Sequence, residues 1–132
     1  MLRAPAAELK RFLGSFSPEV AKVALRVRAF VLTEAPLANE FVHEADHAVE
    51  MGYGFTERPG DAFCRIAVRD GWVDLGFNRG SLLADPAGVL EGSGSRVRHL
   101  RIEDLSDLRK PEVGRFLRAA MRVAPVGNKE EA

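Results

Sequence analysis

The apolar residues of this chain change their spacing twice, and each change marks a change of element. Over the first third they recur every three or four positions. Pro5 opens a short helix with Leu9, Phe12 and Leu13 on one side. Ser17-Pro18-Glu19 is a stronger start signal: a serine N-cap, a proline at the first helical position and an acid in the first turn. Val20, Val23, Ala24, Val27, Phe30 and Val31 then repeat at helical spacing. Lys22, Arg26 and Arg28 fall largely off that stripe and read as a solvated face, and Pro36 stops the helix.

In the middle of the chain the spacing drops to two. The clearest case is Ala62 to Phe77, where Asp70-Gly71 reads as a two-residue hairpin turn. That turn sets Arg69 opposite Trp72, Val68 opposite Val73, Ile66 opposite Leu75 and Cys64 opposite Phe77. All six apolar members then share one face, and Arg65, Arg69, Trp72 and Asp74 take the other. Cys64 reads as a small core residue rather than a nucleophile. Trp72 beside Arg65 and Arg69 can serve as a ligand platform, but cross-strand packing is the preferred reading. After Phe77 comes a loop rich in Gly, Asp and Pro, and a short strand follows over Val97 to Ile102. Helical spacing returns at Pro111, with Val113, Phe116, Leu117, Ala120, Met121 and Ala124 as the buried stripe. Arg115, Arg118 and Arg122 lie on its outer side, and Pro125 ends it.

Composition narrows the class of protein. The 132 residues suit one domain with one core, over residues 1–125, followed by a flexible tail at 126–132. Lys+Arg and Asp+Glu are equal at 19 each, so no basic excess points to nucleic acid. With one cysteine, no disulfide within the chain and no cysteine-based zinc cluster can form. No apolar run has the length of a signal-peptide core or a membrane span, so the expectation is a cytoplasmic protein that does not engage the membrane.

One stretch matches a catalytic pattern literally. His43-Glu44-Ala45-Asp46-His47 fits H-E-x-x-H. On a helix, residues four apart come within about 6 Å, so both imidazoles reach one zinc and the glutamate acts on its water. In a strand, His43 and His47 stand about 13 Å apart, and one zinc cannot bridge them. As a continuous strand, Glu40, Glu44, Asp46 and Glu50 take one face; Phe41, His43, Ala45, His47, Val49 and Met51 take the other. Periodicity alone leaves helix and strand both open.

A wider resemblance bears on that choice. Leu75-Gly76-Phe77, Arg79-Gly80, Asp85-Pro86, Leu90-Glu91-Gly92, Gly94 and Arg96-x-Arg98-His99 together resemble the bacterial YdhG-like family. That family is a domain of unknown function grouped with YjbR and the frataxin-like CyaY proteins. Gly52-Tyr53-Gly54-Phe55-Thr56-Glu57-Arg58 and Lys110-Pro111-Glu112-Val113 are similar to it as well, and the likeness spans roughly residues 5 to 124. It implies an α+β fold, with an antiparallel sheet packed against N- and C-terminal helices in two layers. It also implies a strand before Gly52, which argues against a zinc hydrolase at His43, Glu44 and His47.

Two candidate sites remain. The loop from Asn78 to His99 offers Asn78, Arg79, Gly80, Arg96, Arg98 and His99 for a small anion, with its glycines able to form an amide nest. The competing reading is a loop that only folds back over the sheet, with Asp85-Pro86 making a turn. Glu44 and Asp46 offer carboxylates to a hard cation, and the resemblance to frataxin-like proteins makes iron the candidate. Tyr53 near Arg58 is a weaker ligand contact. The expected function is binding of a small anion, a metal or a protein partner, without enzymatic turnover and without a resident cofactor. An iron carrier is the alternative, and an exposed edge strand leaves a homodimer open.

Overall fold

The computed structural model describes residues 3–45 and 48–126. The fold is α+β: a five-stranded antiparallel sheet with helices contributed by the two ends of the chain. Helices α1 (Ala7–Leu13) and α2 (Pro18–Glu34) precede strands β1 (Asn39–Ala45) and β2 (Ala48–Gly54). Strands β3 (Cys64–Val68), β4 (Val73–Phe77) and β5 (Arg98–Ile102) follow, and α3 (Pro111–Arg122) comes last. The sheet order is the chain order, β1-β2-β3-β4-β5.

Local chemistry accounts for the boundaries. The Ser17 hydroxyl accepts the Val20 amide at 3.3 Å, and Pro18 sits at the first turn, so α2 starts where the sequence predicts. The Asp70-Gly71 hairpin also forms: Arg69 N–H donates to the Trp72 carbonyl at 2.8 Å, and Gly71 takes φ +111°, a region closed to most side chains. The predicted register holds at Cys64–Phe77, Ile66–Leu75 and Val68–Val73. All six of these residues are fully buried. Burying a side chain such as Ile66 or Leu75 contributes about 1.5–3 kcal/mol as an upper estimate. Leu9 and Leu13 of α1, Val27 and Val31 of α2, and Phe116 and Leu117 of α3 close over the same core. Strand β5 begins at Arg98, one residue later than expected.

Two expectations need correction. Residues 40–51 are not one continuous strand: β1 ends at Ala45, and β2 starts at Ala48 and pairs back on it antiparallel. Asp46 and His47 lie outside the described residues. In this pairing Glu40 faces Tyr53, Val42 faces Met51, His43 faces Glu50 and Glu44 faces Val49. Even-numbered positions of β1 therefore share a face with odd-numbered positions of β2. The single acidic face is lost: Glu40 and Glu44 lie on the core side with Tyr53, Met51 and Val49, whereas Glu50 lies on the outer side with His43. The turn that reverses the chain carries no glycine or proline to announce it.

The second correction is Arg28. It does not face solvent but is 2% exposed, among the most buried residues of α2. Its Nε donates to Glu40 Oε2 at 2.7 Å and its Nη2 to Glu40 Oε1 at 3.2 Å, a two-pronged pair. Nη1 and Nη2 also reach the carbonyls of Arg3 and Ala4 at 2.9 and 3.3 Å. The Tyr53 hydroxyl donates to Glu40 Oε2 at 2.6 Å. Burial works against the Arg28 charge, but the hydrogen bond and charge of Glu40 outweigh it, and the guanidinium pKa is raised. Burial first, then the Glu40 carboxylate, pushes the Tyr53 phenol far above its ordinary value. Tyr53 is thus an internal donor, not the ligand contact that its neighbourhood to Arg58 suggested.

Candidate functional site

The segment from Asn78 to His99 is built by a chain crossing. Asn78 is still tied to the end of the β3–β4 pair, its N–H donating to the Phe63 carbonyl at 3.2 Å. A 3-10 turn at Gly80–Leu82 then brings the backbone against Arg98. Only glycine fits there, because a Cβ on residue 80 would stand 2.5 Å from the Arg98 Cβ and 2.7 Å from its nitrogen. Ser81 fixes the crossing strand from two atoms: its N–H donates to the Arg96 carbonyl and its hydroxyl to the Ser95 carbonyl, each at 2.9 Å.

This crossing divides the six candidate residues. Asn78, Arg79 and Arg96 line one cleft of about 410 Å³, with Asp61, Val97 and Pro125 completing its wall. Arg79 is held in place by α3, its Nη1 donating to the Val123 carbonyl at 3.1 Å. Gly80 lies buried beneath the crossing. Arg98 does not join the cleft: its Nη1 donates to the carbonyls of Gly94 and Val97 at 2.6 and 2.8 Å and closes its own loop. His99 leaves as well, because strand alternation turns it to the outer side of the sheet. There its Nε2 lies 3.4 Å from Glu91 Oε1, and the two backbones pair at 2.8 and 2.9 Å. For Arg98, His99 and Gly80 the loop-folding role is the one the structure displays. Asp85 behaves likewise, its carboxylate accepting the Val89 and Leu90 amides at 3.0 and 2.9 Å.

The cleft carries one acid among its bases. The Asp61 carboxyl sits below the usual aspartate range chiefly because the Thr56 hydroxyl donates to it at 2.8 Å. Partial desolvation opposes this, and Arg58 and Arg79 add favourable charge. Next to the cleft, sharing Asp61, a wider hollow of about 700 Å³ runs past Asn39, Phe55, Arg58 and Val126. Val126, expected in the flexible tail, bridges to Phe55 in parallel, and residues 127–132 lie outside the described residues.

The other sequence candidates separate in the fold. His43 and Glu44 lie in β1, so the helical spacing that H-E-x-x-H chemistry needs does not form there. Glu44 is exposed and borders a hollow of about 410 Å³ with Ser15, Ser17 and Asp70. Its proposed partner Asp46 is among the residues not described. Among the described residues, no group of three or more His, Cys, Asp or Glu side chains is placed to hold a metal ion. Cys64 is buried, and burial pushes its thiol well above the ordinary range, away from thiolate chemistry. Trp72 donates to Asp74 at 3.1 Å, Arg69 reaches the same carboxylate at 3.1 Å, and the Arg101 guanidinium lies 3.9 Å from the Trp72 ring centre. These side chains satisfy one another across strands.

Sequence reasoning missed the Arg28–Glu40–Tyr53 cluster, although one signal was present. Arg28 lies four residues after Ala24 and three before Val31, inside the apolar stripe rather than beside it. No helix among the described residues is long and apolar enough to cross a membrane. In comparisons with family models, curated proteins and solved structures, nothing matches this chain.

Proposed function

We propose that this chain is a small-anion-binding domain that acts by binding rather than by turnover, with its site in the cleft of Asn78, Arg79 and Arg96. One observation carries the reading: these three donors, drawn from two separated segments, converge on one cleft while Arg98 and His99 are occupied elsewhere. Arg79 is already oriented by the Val123 carbonyl, so little side-chain freedom remains to be lost on binding. Two guanidinium groups and an amide suit a planar carboxylate or a phosphate, which accept several N–H bonds at once.

A titration of the protein with inorganic phosphate and with citrate at low ionic strength, followed by amide NMR shifts, tests the reading. Saturable shifts of Asn78, Arg79 and Arg96 at millimolar anion or tighter are expected, and Arg96→Gln should weaken them at least several-fold. Shifts that do not saturate, or that survive Arg96→Gln unchanged, overturn the assignment.

A further inference from the structure

The anion cleft does not end at its arginines. Asp61 lines both the cleft and the wider hollow of about 700 Å³ beside it, so the two share a wall. Their charges differ in sign. The cleft sets Arg79 and Arg96 against one acid, Asp61; the hollow sets Asp61 and Glu57 against one base, Arg58. A molecule reaching from one into the other leaves a donor-rich end and enters an acceptor-rich one.

Local chemistry fixes Asp61 at that boundary. It ends the short turn Pro59–Asp61, where its N–H donates to the Arg58 carbonyl at 3.0 Å and the Ala62 N–H donates to the Pro59 carbonyl at 3.2 Å. The turn seats against β2 at Gly54, where a Cβ would stand 3.1 Å from the Ala62 Cα and 3.2 Å from the Asp61 carbonyl oxygen. The two carboxylate oxygens are used unequally. Oδ2 accepts from the Thr56 hydroxyl at 2.8 Å and from Arg58 Nε at 3.3 Å, whereas Oδ1 accepts nothing among the described residues. Asn39 repeats the pattern: its Nδ2 donates to the Thr56 carbonyl at 2.7 Å, and its Oδ1 has no donor among the described residues. Phe55 adds an aromatic wall, stacked on Phe63 with ring centroids 5.1 Å apart.

Open acceptors on fixed groups beside an aromatic wall suit hydroxyl groups carried on a carbon ring. The Arg58 guanidinium, already on Asp61, disfavours a second cation such as an ammonium at the same carboxylate. We infer, resting on the reading of the cleft as an anion site, that its anion is the phosphate of a sugar phosphate. The phosphate meets Arg79 and Arg96. The sugar lies past Asp61 in the hollow, and its hydroxyls donate to Asp61 Oδ1 and Asn39 Oδ1.

Calorimetric titrations with ribose 5-phosphate, ethyl phosphate and phosphoethanolamine at pH 7 and low ionic strength test the assignment. Ribose 5-phosphate should bind about tenfold tighter than ethyl phosphate, which has the same phosphate and no hydroxyls. Asp61→Asn separates the two contacts. Thr56 and Arg58 both donate toward the Oδ2 position, so the asparagine oxygen takes that place and its NH2 stands where the open acceptor was. Ethyl phosphate should then bind slightly tighter, while the advantage of ribose 5-phosphate over it falls about threefold or more. Asp61→Ala, which removes the acceptor outright, should lower that advantage at least as far. An advantage unchanged in both variants overturns Asp61 as the sugar contact. Ethyl phosphate binding the native chain as tightly as ribose 5-phosphate overturns the sugar and leaves the anion cleft standing. Phosphoethanolamine binding tighter than ribose 5-phosphate overturns the hydroxyl donors in favour of an ammonium. Binding by none of the three overturns the anion cleft itself, and the sugar phosphate with it.

Discussion

Arg28 and Arg96 bring the same side chain into opposite circumstances. Arg28 is buried and every prong of its fork is engaged: Glu40 takes two bonds, and the carbonyls of Arg3 and Ala4 take the rest. Arg96 is exposed on a crossing segment whose backbone is fixed by Ser81, and it lines a cleft. The first arginine is spent on joining the N-terminal segment to α2, β1 and β2. The second has its backbone carbonyl fixed by Ser81, and its side chain makes no hydrogen bond or ion pair among the described residues. A charged residue in a small domain thus contributes to stability or to binding according to how many of its donors the fold has already used.

Four substitutions separate the two roles. Arg28→Met should have the largest effect, a loss of about 3–5 kcal/mol in urea unfolding, because it strands the buried Glu40 carboxylate. A loss under about 1 kcal/mol would mean that water reaches Glu40 freely. Tyr53→Phe removes one donor from the same carboxylate, and about 1–2 kcal/mol should go in the same assay. Arg79 is intermediate between the two environments, since it both braces α3 at Val123 and faces the cleft. Arg79→Gln should cost about 1 kcal/mol of stability and also weaken phosphate binding, which titration of the refolded variant would record. Arg96→Gln should leave stability within about 0.5 kcal/mol and act on anion affinity alone.

The smallest effect concerns acidity. Asp61 has a folded pKa below its ordinary value of 3.8, so its contribution to stability is present above pH 3.8 and fades as pH falls through the lower folded value. The same protonation removes the acid that competes for Arg79. Asp61→Asn should therefore raise anion affinity modestly at pH 7, where the charge of the anion itself is unchanged. Arg28, sealed with Glu40, offers no such dependence on added phosphate.

The parts of this fold that local chemistry determines were legible in the sequence. Ser17-Pro18 and Asp70-Gly71 each fix a backbone conformation within four residues, and both elements stand where they were read. The hairpin joining β1 to β2 was not legible, because Ala45 to Ala48 offers no residue that demands a turn, and strand alternation simply ran through it. Once that turn was missed, Glu50 was put on the wrong face, and a false acidic face resulted. Arg28 escaped for another reason: its partners lie 12 and 25 residues away, so only the tertiary fold shows how its charge is satisfied. Of the candidate site, the membership of Asn78, Arg79 and Arg96 was readable as composition. The departure of Arg98 and His99 was not, since it depends on a glycine crossing at Gly80 and on which side of β5 each residue falls.

The order of the strands has a kinetic consequence. Because each strand pairs only with its neighbours in sequence, the sheet can grow by successive pairings, with short connections up to β4 and one long connection, residues 78–97, before β5. The entropy of bringing distant segments together is deferred to α2 and the N-terminal segment, which must dock across a nearly finished surface. Refolding should accordingly proceed in about milliseconds for an α+β chain of this topology, and substitutions at the Asp70-Gly71 hairpin should slow it. Substitutions at Arg28, whose contacts form late, should instead quicken unfolding, a division that stopped-flow measurements on the two sets of variants would reveal.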